Sequence, residues 1–257
     1  MTVLNNNFNG GPDTTTLTTS NSGQFGDNAF DVTGNPAAST VQQFIDANRA
    51  GLNRPTSTFV YGQSSGATAD NPYVQWDASM GTQTTTYVRF YIYVTSFTGL
   101  VADQTVFGIG SNSLINDQLQ INLRTSSAPV LWVLKNFNAG TQSLGAITVL
   151  TGQWTRIELA FTASGSVGSA SANFFAGTDV DTTTVTDTIS VTGQNYGAST
   201  ASWWYCGFQN SSVANVPTMY YGNWQLNNTG NPGPAPWRFK GSPGILTNAV
   251  APHDAIC

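Results

Sequence analysis

From residue 87 to 94 the chain reads Tyr-Val-Arg-Phe-Tyr-Ile-Tyr-Val: every even position is apolar, and the odd ones are Tyr87, Arg89, Tyr91 and Tyr93. Successive side chains leave a pleated backbone on opposite faces, so a period of two specifies a β-strand with one face turned inward. The other face then displays aromatic and cationic groups. Gln118-Leu119-Gln120-Ile121-Asn122-Leu123-Arg124 alternates as cleanly. It predicts a half-buried strand with Leu119, Ile121 and Leu123 inward and Gln118, Gln120, Asn122 and Arg124 outward. In residues 154–161, Ile157, Leu159 and Phe161 share one side, and Arg156, Glu158 and Ala160 the other.

Further strand-like segments lie at residues 57–62, 72–76, 105–109, 130–135, 171–176, 185–191, 203–208 and 219–226, nearly all bounded by Gly, Ser, Asn or Pro. One helix is predicted, over residues 40–50, where Val41, Phe44 and Ile45 are helically spaced; a strand is the alternative there. Many short strands separated by turn residues specify an all-β, two-sheet antiparallel jelly-roll sandwich rather than alternating βαβ units. The sandwich is expected to occupy residues 1–226. Residues 227–257 are rich in Pro and Gly and scatter Trp237, Phe239, Ile245 and Leu246 without either period, which reads as an extended tail. Such a tail has no core of its own. It is expected to leave the sandwich and dock on a neighbouring subunit, with those four side chains as anchors.

Charged residues make up 8% of the 257, against about 25% in ordinary soluble proteins. Solubility therefore rests on hydroxyl and amide groups. The formal net charge is −5, and no Lys/Arg cluster is present to neutralise a phosphate backbone, so nucleic-acid binding is not expected. No apolar run reaches 18 residues and the first residues lack signal-peptide features, which points to synthesis in a cytosol and to no membrane insertion. Of the two cysteines, Cys206 reads as a small buried hydrophobe, and Cys257 is the last residue.

Glu158 is the only glutamate and His253 the only histidine. Glycoside hydrolysis by the usual route needs two carboxylates flanking the scissile bond, so any such pair here must use aspartates. Asp179 and Asp181 come closest, but Gly177-Thr178-Asp179-Val180-Asp181-Thr182 reads as a turn. A serine nucleophile would have to recruit His253 from the tail. Zinc lacks ligands, and no metal site or cofactor is expected beyond a weak case for structural calcium on Asn5 to Asn9, Asp13, Asp27 and Asp31. The expectation is a chain without catalytic residues. Carbohydrate contact rests on the aromatic inventory, which includes Trp203-Trp204-Tyr205 and Tyr220-Tyr221. The array Tyr87, Arg89, Tyr91 and Tyr93 is the candidate glycan-contact surface. Arg156 and Glu158 are expected to form an outward pair worth only about 0–1 kcal/mol.

Several phrases carry a resemblance: Asn7-Phe8-Asn9-Gly10-Gly11, Asn28-Ala29-Phe30-Asp31, Tyr87-Val88-Arg89-Phe90-Tyr91, Gln153-Trp154-Thr155-Arg156-Ile157-Glu158-Leu159 and Gly230-Asn231-Pro232-Gly233-Pro234. In this order they resemble the concanavalin A-like, laminin-G-like jelly rolls of tailed-phage virion proteins, minor tail or capsid-decoration components of actinobacteriophage type. The resemblance implies a non-enzymatic structural protein made in the host cytoplasm and displayed on the virion surface; a dedicated carbohydrate-binding adsorption module is the alternative reading, and a polysaccharide-degrading enzyme the weaker one. Its implied partners are capsid or tail subunits, a second copy of the chain, and host-surface glycan. Gly222-Asn223-Trp224 stands where relatives often carry paired aspartates, so no calcium site is inherited through it.

Overall fold

The structure, a computed structural model, describes residues 2–8, 10–12, 14–34, 40–46, 57–63, 73–96, 103–111, 117–124, 131–138, 142–207 and 219–235. In chain order the strands are β1 (Val3–Asn6), β2 (Val32–Thr33), β3 (Thr40–Asp46), β4 (Ser57–Gln63), β5 (Tyr73–Trp76), β6 (Thr85–Val94), β7 (Gln104–Gly110) and β8 (Asp117–Arg124). They continue with β9 (Leu131–Asn136), β10 (Gln142–Thr148), β11 (Trp154–Thr162), β12 (Gly168–Ala176), β13 (Asp187–Gln194), β14 (Trp203–Gly207) and β15 (Met219–Asn227). An eight-stranded sheet runs β13-β12-β11-β6-β15-β4-β3 with β1 also paired to β15, and a seven-stranded sheet runs β10-β9-β8-β7-β14-β5-β2. Every pairing between these strands is antiparallel. The expected two-sheet jelly roll is what the chain forms.

Apolar faces of the two sheets meet in one continuous core. Val88, Phe90, Ile92, Leu119, Ile121, Leu123, Ile157, Leu159 and Phe161 are each no more than 1% exposed, as their alternation predicted. At the centre Trp76 stacks on Trp224 with ring centroids 4.2 Å apart, and Phe30 packs against both. Cys206 is buried and free, its thiol pushed up by burial.

Residues 40–46 are not helical. They form edge strand β3, in register with β4 from Thr40↔Gln63 to Asp46↔Ser57. Helical spacing of three apolar residues could not outweigh a seven-residue ladder. A four-residue helix, α1 (Thr19–Ser22), stands instead in the entry segment, where the Thr18 hydroxyl accepts from the Asn21 N–H and the Asn21 side chain answers the Thr18 N–H. β10 also went unpredicted. Its Gly and small residues dilute the alternation, and a register irregularity falls between Ser143 and Gly145.

Residues 228–235 turn back over the eight-stranded sheet: Arg89 Nη1 donates to the Gly233 carbonyl at 3.1 Å, and the Ala235 N–H donates to the Tyr91 hydroxyl at 2.9 Å. Trp237, Phe239, Ile245, Leu246, His253 and Cys257 lie outside the described residues.

Candidate functional site

The two outer faces are built for different purposes. On the eight-stranded sheet, register places Arg89 opposite Glu158, Tyr91 opposite Arg156 and Gly222, and Tyr93 opposite Trp154 and Tyr220. This is the face proposed from sequence to meet glycan, yet Arg89 is 1% and Tyr91 0% exposed. Only Tyr87 and Tyr93 keep partial exposure. The segment linking β12 to β13 lies across the face. Arg156 donates to the Val180 carbonyl at 2.5 Å and to the Thr182 carbonyl at 2.7 Å, while its guanidinium sits 3.6 Å from the Phe175 ring centroid. Tyr91 donates its hydroxyl proton to Asp181 at 2.5 Å. Val180, Ala235, Trp154 and Tyr91 close a second apolar cluster over the charges.

Arg156 and Glu158 are therefore not an exposed pair. Nε and Oε1 approach to 2.9 Å, off the hydrogen-bond direction, with both side chains buried. Burial raises the Glu158 carboxyl, and the charges of Arg156 and Arg89 pull it back. Asp179 and Asp181 occupy the turn expected of them, with Asp179 accepting from the Asp181 N–H. Of the groups considered for calcium, the carboxylates of Asp27 and Asp31 are engaged within the protein, and Asn9 and Asp13 lie outside the described residues. Asn7 donates its backbone and side-chain N–H groups to Asp27, and Asp31 accepts from the Asp77 and Ser79 backbone and from the Ser79 hydroxyl. Among the described residues no group of three or more His, Cys, Asp or Glu side chains gathers where it could hold a metal ion.

The seven-stranded sheet presents a polar floor instead. One row crosses six strands: Lys135 on β9, Gln120 on β8, Gly108 on β7, Tyr205 on β14, Gln75 on β5 and Val32 on β2, each opposite the next. Gln120 and Asn122, expected on an outward face, are in fact buried at 7% and 4% exposure, and Lys135 beside them at 8%. Tyr205 stacks on Trp203 at 5.4 Å and meets Tyr73 edge-on at 6.1 Å, giving an aromatic cluster beside the amides.

Asp117 is a strongly perturbed group of the floor. Its Oδ2 accepts from Gln120 Nε2 and from the Tyr205 hydroxyl, the latter at 3.1 Å. Burial pushes its carboxyl up to about 7 despite those bonds, and burial together with the Asp117 charge raises the Tyr205 phenol well above its ordinary value. Several floor atoms have no hydrogen-bond partner within the protein: Asp117 Oδ1, Asn122 Oδ1, Gln75 Oε1, Asp103 Oδ1 and Trp203 Nε1. At the rim, Asp103 Oδ2 holds Lys135 at 2.8 Å and Arg124 at 3.3 Å. Strand alternation named Gln120, Asn122 and Arg124 as outward. Nothing local in the sequence joins them to Asp117, Gln75 and Tyr205.

Gly108 makes this floor possible. A Cβ there would stand 2.2 Å from Tyr205 Cε1 and 2.4 Å from Cζ, inside van der Waals contact with a ring that has no space to retreat. Gly108→Val is expected to cost about 1–3 kcal/mol by overpacking and to break the Tyr205–Asp117 bond. Thermal unfolding together with the tyrosine ultraviolet spectrum checks both.

No family model matches the chain, and no curated protein matches it in sequence. Solved structures do. The chain is similar to the cellulose-induced protein Cip1 with a TM-score of 0.52 at 10% identity, over 88% of this chain and 97% of that one. The fold is a jelly-roll sandwich of concanavalin A-like type. Alginate lyase vAL-1 from a Chlorella virus gives 0.48 at 11% identity over 78% of this chain and 92% of its own. A GH131 β-glucanase catalytic domain from Podospora anserina gives 0.48 at 10% identity over 80% and 86%. The expectation of a chain that is not an enzyme is corrected by these matches: the solved structures it resembles in fold include an alginate lyase and a β-glucanase catalytic domain. At such identities the likeness concerns the fold alone.

Proposed function

We propose that this protein recognises polysaccharide on the outer face of the seven-stranded sheet. One observation carries the reading: hydrogen-bonding atoms of Gln75, Asp117, Asn122 and Trp203 that have no partner within the protein share a sheet face with the Tyr73, Trp203 and Tyr205 cluster, and because Tyr205 is 0% and Trp203 3% exposed, a sugar reaches them only where that face opens. An unpaired buried polar atom costs about 1–3 kcal/mol, so a ligand rich in hydroxyls gains what the fold forgoes. Aromatic rings beside amides suit a sugar, which has an apolar face and a polar edge. Affinity electrophoresis through gels containing soluble polysaccharides tests this. The wild-type chain is expected to be retarded, and Gln120→Ala and Asn122→Ala variants to migrate more freely. Retardation equal in all three would place the sugar elsewhere.

A second reading has its own support. A carboxyl poised near neutrality and bonded to a phenol is the pairing that proton transfer to or from a sugar oxygen uses. Under that reading polysaccharide incubated with wild type releases new chain ends and Asp117→Asn does not; equal release from both would contradict it. The tailed-phage virion setting belongs to the same proposal and rests on the sequence phrases. Immunoblotting of purified particles tests it.

A further inference from the structure

We infer that the ligand of this face is a neutral polyhydroxyl chain rather than a uronate or sulfated polymer. The inference rests on the polysaccharide reading above and goes further, from the kind of atom left unpaired. Asp103 Oδ1, Asn122 Oδ1 and Gln75 Oε1 are acceptors, Trp203 Nε1 is a donor, and Asp117 Oδ1 carries the proton of the neutral acid below about pH 7 because Oδ2 takes both of its hydrogen bonds. For Gln75 the amide orientation is fixed, because its Nε2 already donates to Asp77 at 3.0 Å. A floor of acceptors asks for O–H groups and repels carboxylate or sulfate oxygens, which bring acceptors and negative charge of their own.

The cations of the face support the same conclusion. Among the described residues they are Arg124 and Lys135, and a single carboxylate oxygen of Asp103 engages both. Neither stands ready for a ligand anion. The chain as a whole carries a net charge of −5, which further disfavours a polyanion. Asp103 thereby becomes a specificity-determining residue. It occupies the two groups that would otherwise form an anion subsite.

The test uses the full chain in affinity electrophoresis and calorimetry, with hydroxyethyl cellulose, laminarin, dextran and galactomannan as neutral probes and polygalacturonate and alginate as acidic ones. At least one neutral probe is expected to bind at least tenfold more tightly than either acidic one, with affinity unchanged within twofold between 50 and 500 mM NaCl. Asp103→Asn is expected to gain salt-sensitive binding of polygalacturonate, with circular dichroism confirming its fold. If the variant does not fold, the wild-type comparison and its salt series decide alone. Wild-type preference for an acidic probe would overturn the inference and leave the polysaccharide site standing. A folded Asp103→Asn that gains nothing would overturn the role of Asp103. Binding of no probe at all would remove the site and the inference together.

Discussion

Replacing Arg156 with alanine is expected to cost about 3–5 kcal/mol, the range for breaking a buried ion pair from one side. The substitution leaves Glu158 in a dry site and strips the Val180 and Thr182 carbonyls of their donors. It also removes the planar group lying on Phe175. Urea unfolding is expected to show a lower midpoint with little change in slope, since the surface exposed on unfolding is nearly the same. Because the penalty comes from stranding a charge, Arg156→Met combined with Glu158→Met is expected to recover part of the loss. A cost below about 1 kcal/mol for Arg156→Ala would mean that the pair is solvated, as an exposed pair would be.

The second large effect is the pH dependence written by Asp117. In the unfolded chain its carboxyl loses a proton near the ordinary value of 3.8, and in the folded protein only near 7. Between those values the folded state holds a proton that the unfolded state has released, so stability falls as pH rises through this window and the penalty is constant above it. Below about pH 4 both states are protonated and the group contributes nothing. About three pH units of separation correspond to a loss on the order of 4 kcal/mol. Asn can accept from Gln120 and Tyr205 as the neutral acid does, so Asp117→Asn is expected to be more stable than wild type at pH 8 and nearly equal at pH 4. Glu158, also raised by burial, contributes a slope of the same sign to both proteins and cancels in the comparison. A wild-type minus variant difference that does not change between pH 4 and 8 would contradict the placement of Asp117.

Alternation in residues 87–94, 118–124 and 154–161 specified three strands and their core faces, because each apolar stripe needs only its own backbone period to be recognised. What alternation does not say is whether the opposite stripe meets water. Arg89 and Tyr91 disappear beneath residues 177–182 and 231–235, which lie 80 or more residues away in sequence. The candidate site is harder still to see in advance. Gln75, Gly108, Gln120 and Tyr205 become neighbours only when β5, β14, β7 and β8 pair in that register, and three of those strands read individually as ordinary apolar runs. Asp117 gave no local signal, since its perturbation comes from burial, which the bond from a tyrosine 88 positions away only partly offsets.

The central claim is that sugar binds the seven-stranded sheet and not the eight-stranded one. The two faces carry separate indole reporters: Trp203, with Nε1 unpaired on the first, and Trp154, packed with Tyr91 and Val180 on the second. Titrating nitrogen-15-labelled protein with an oligosaccharide of the polymer that binds, with indole signals assigned by Trp203→Phe and Trp154→Phe, reads both at once. The Trp203 N–H resonance is expected to shift as its donor gains an acceptor, with the Trp154 resonance unmoved. A titration that shifts Trp154 and leaves Trp203 in place would contradict the account.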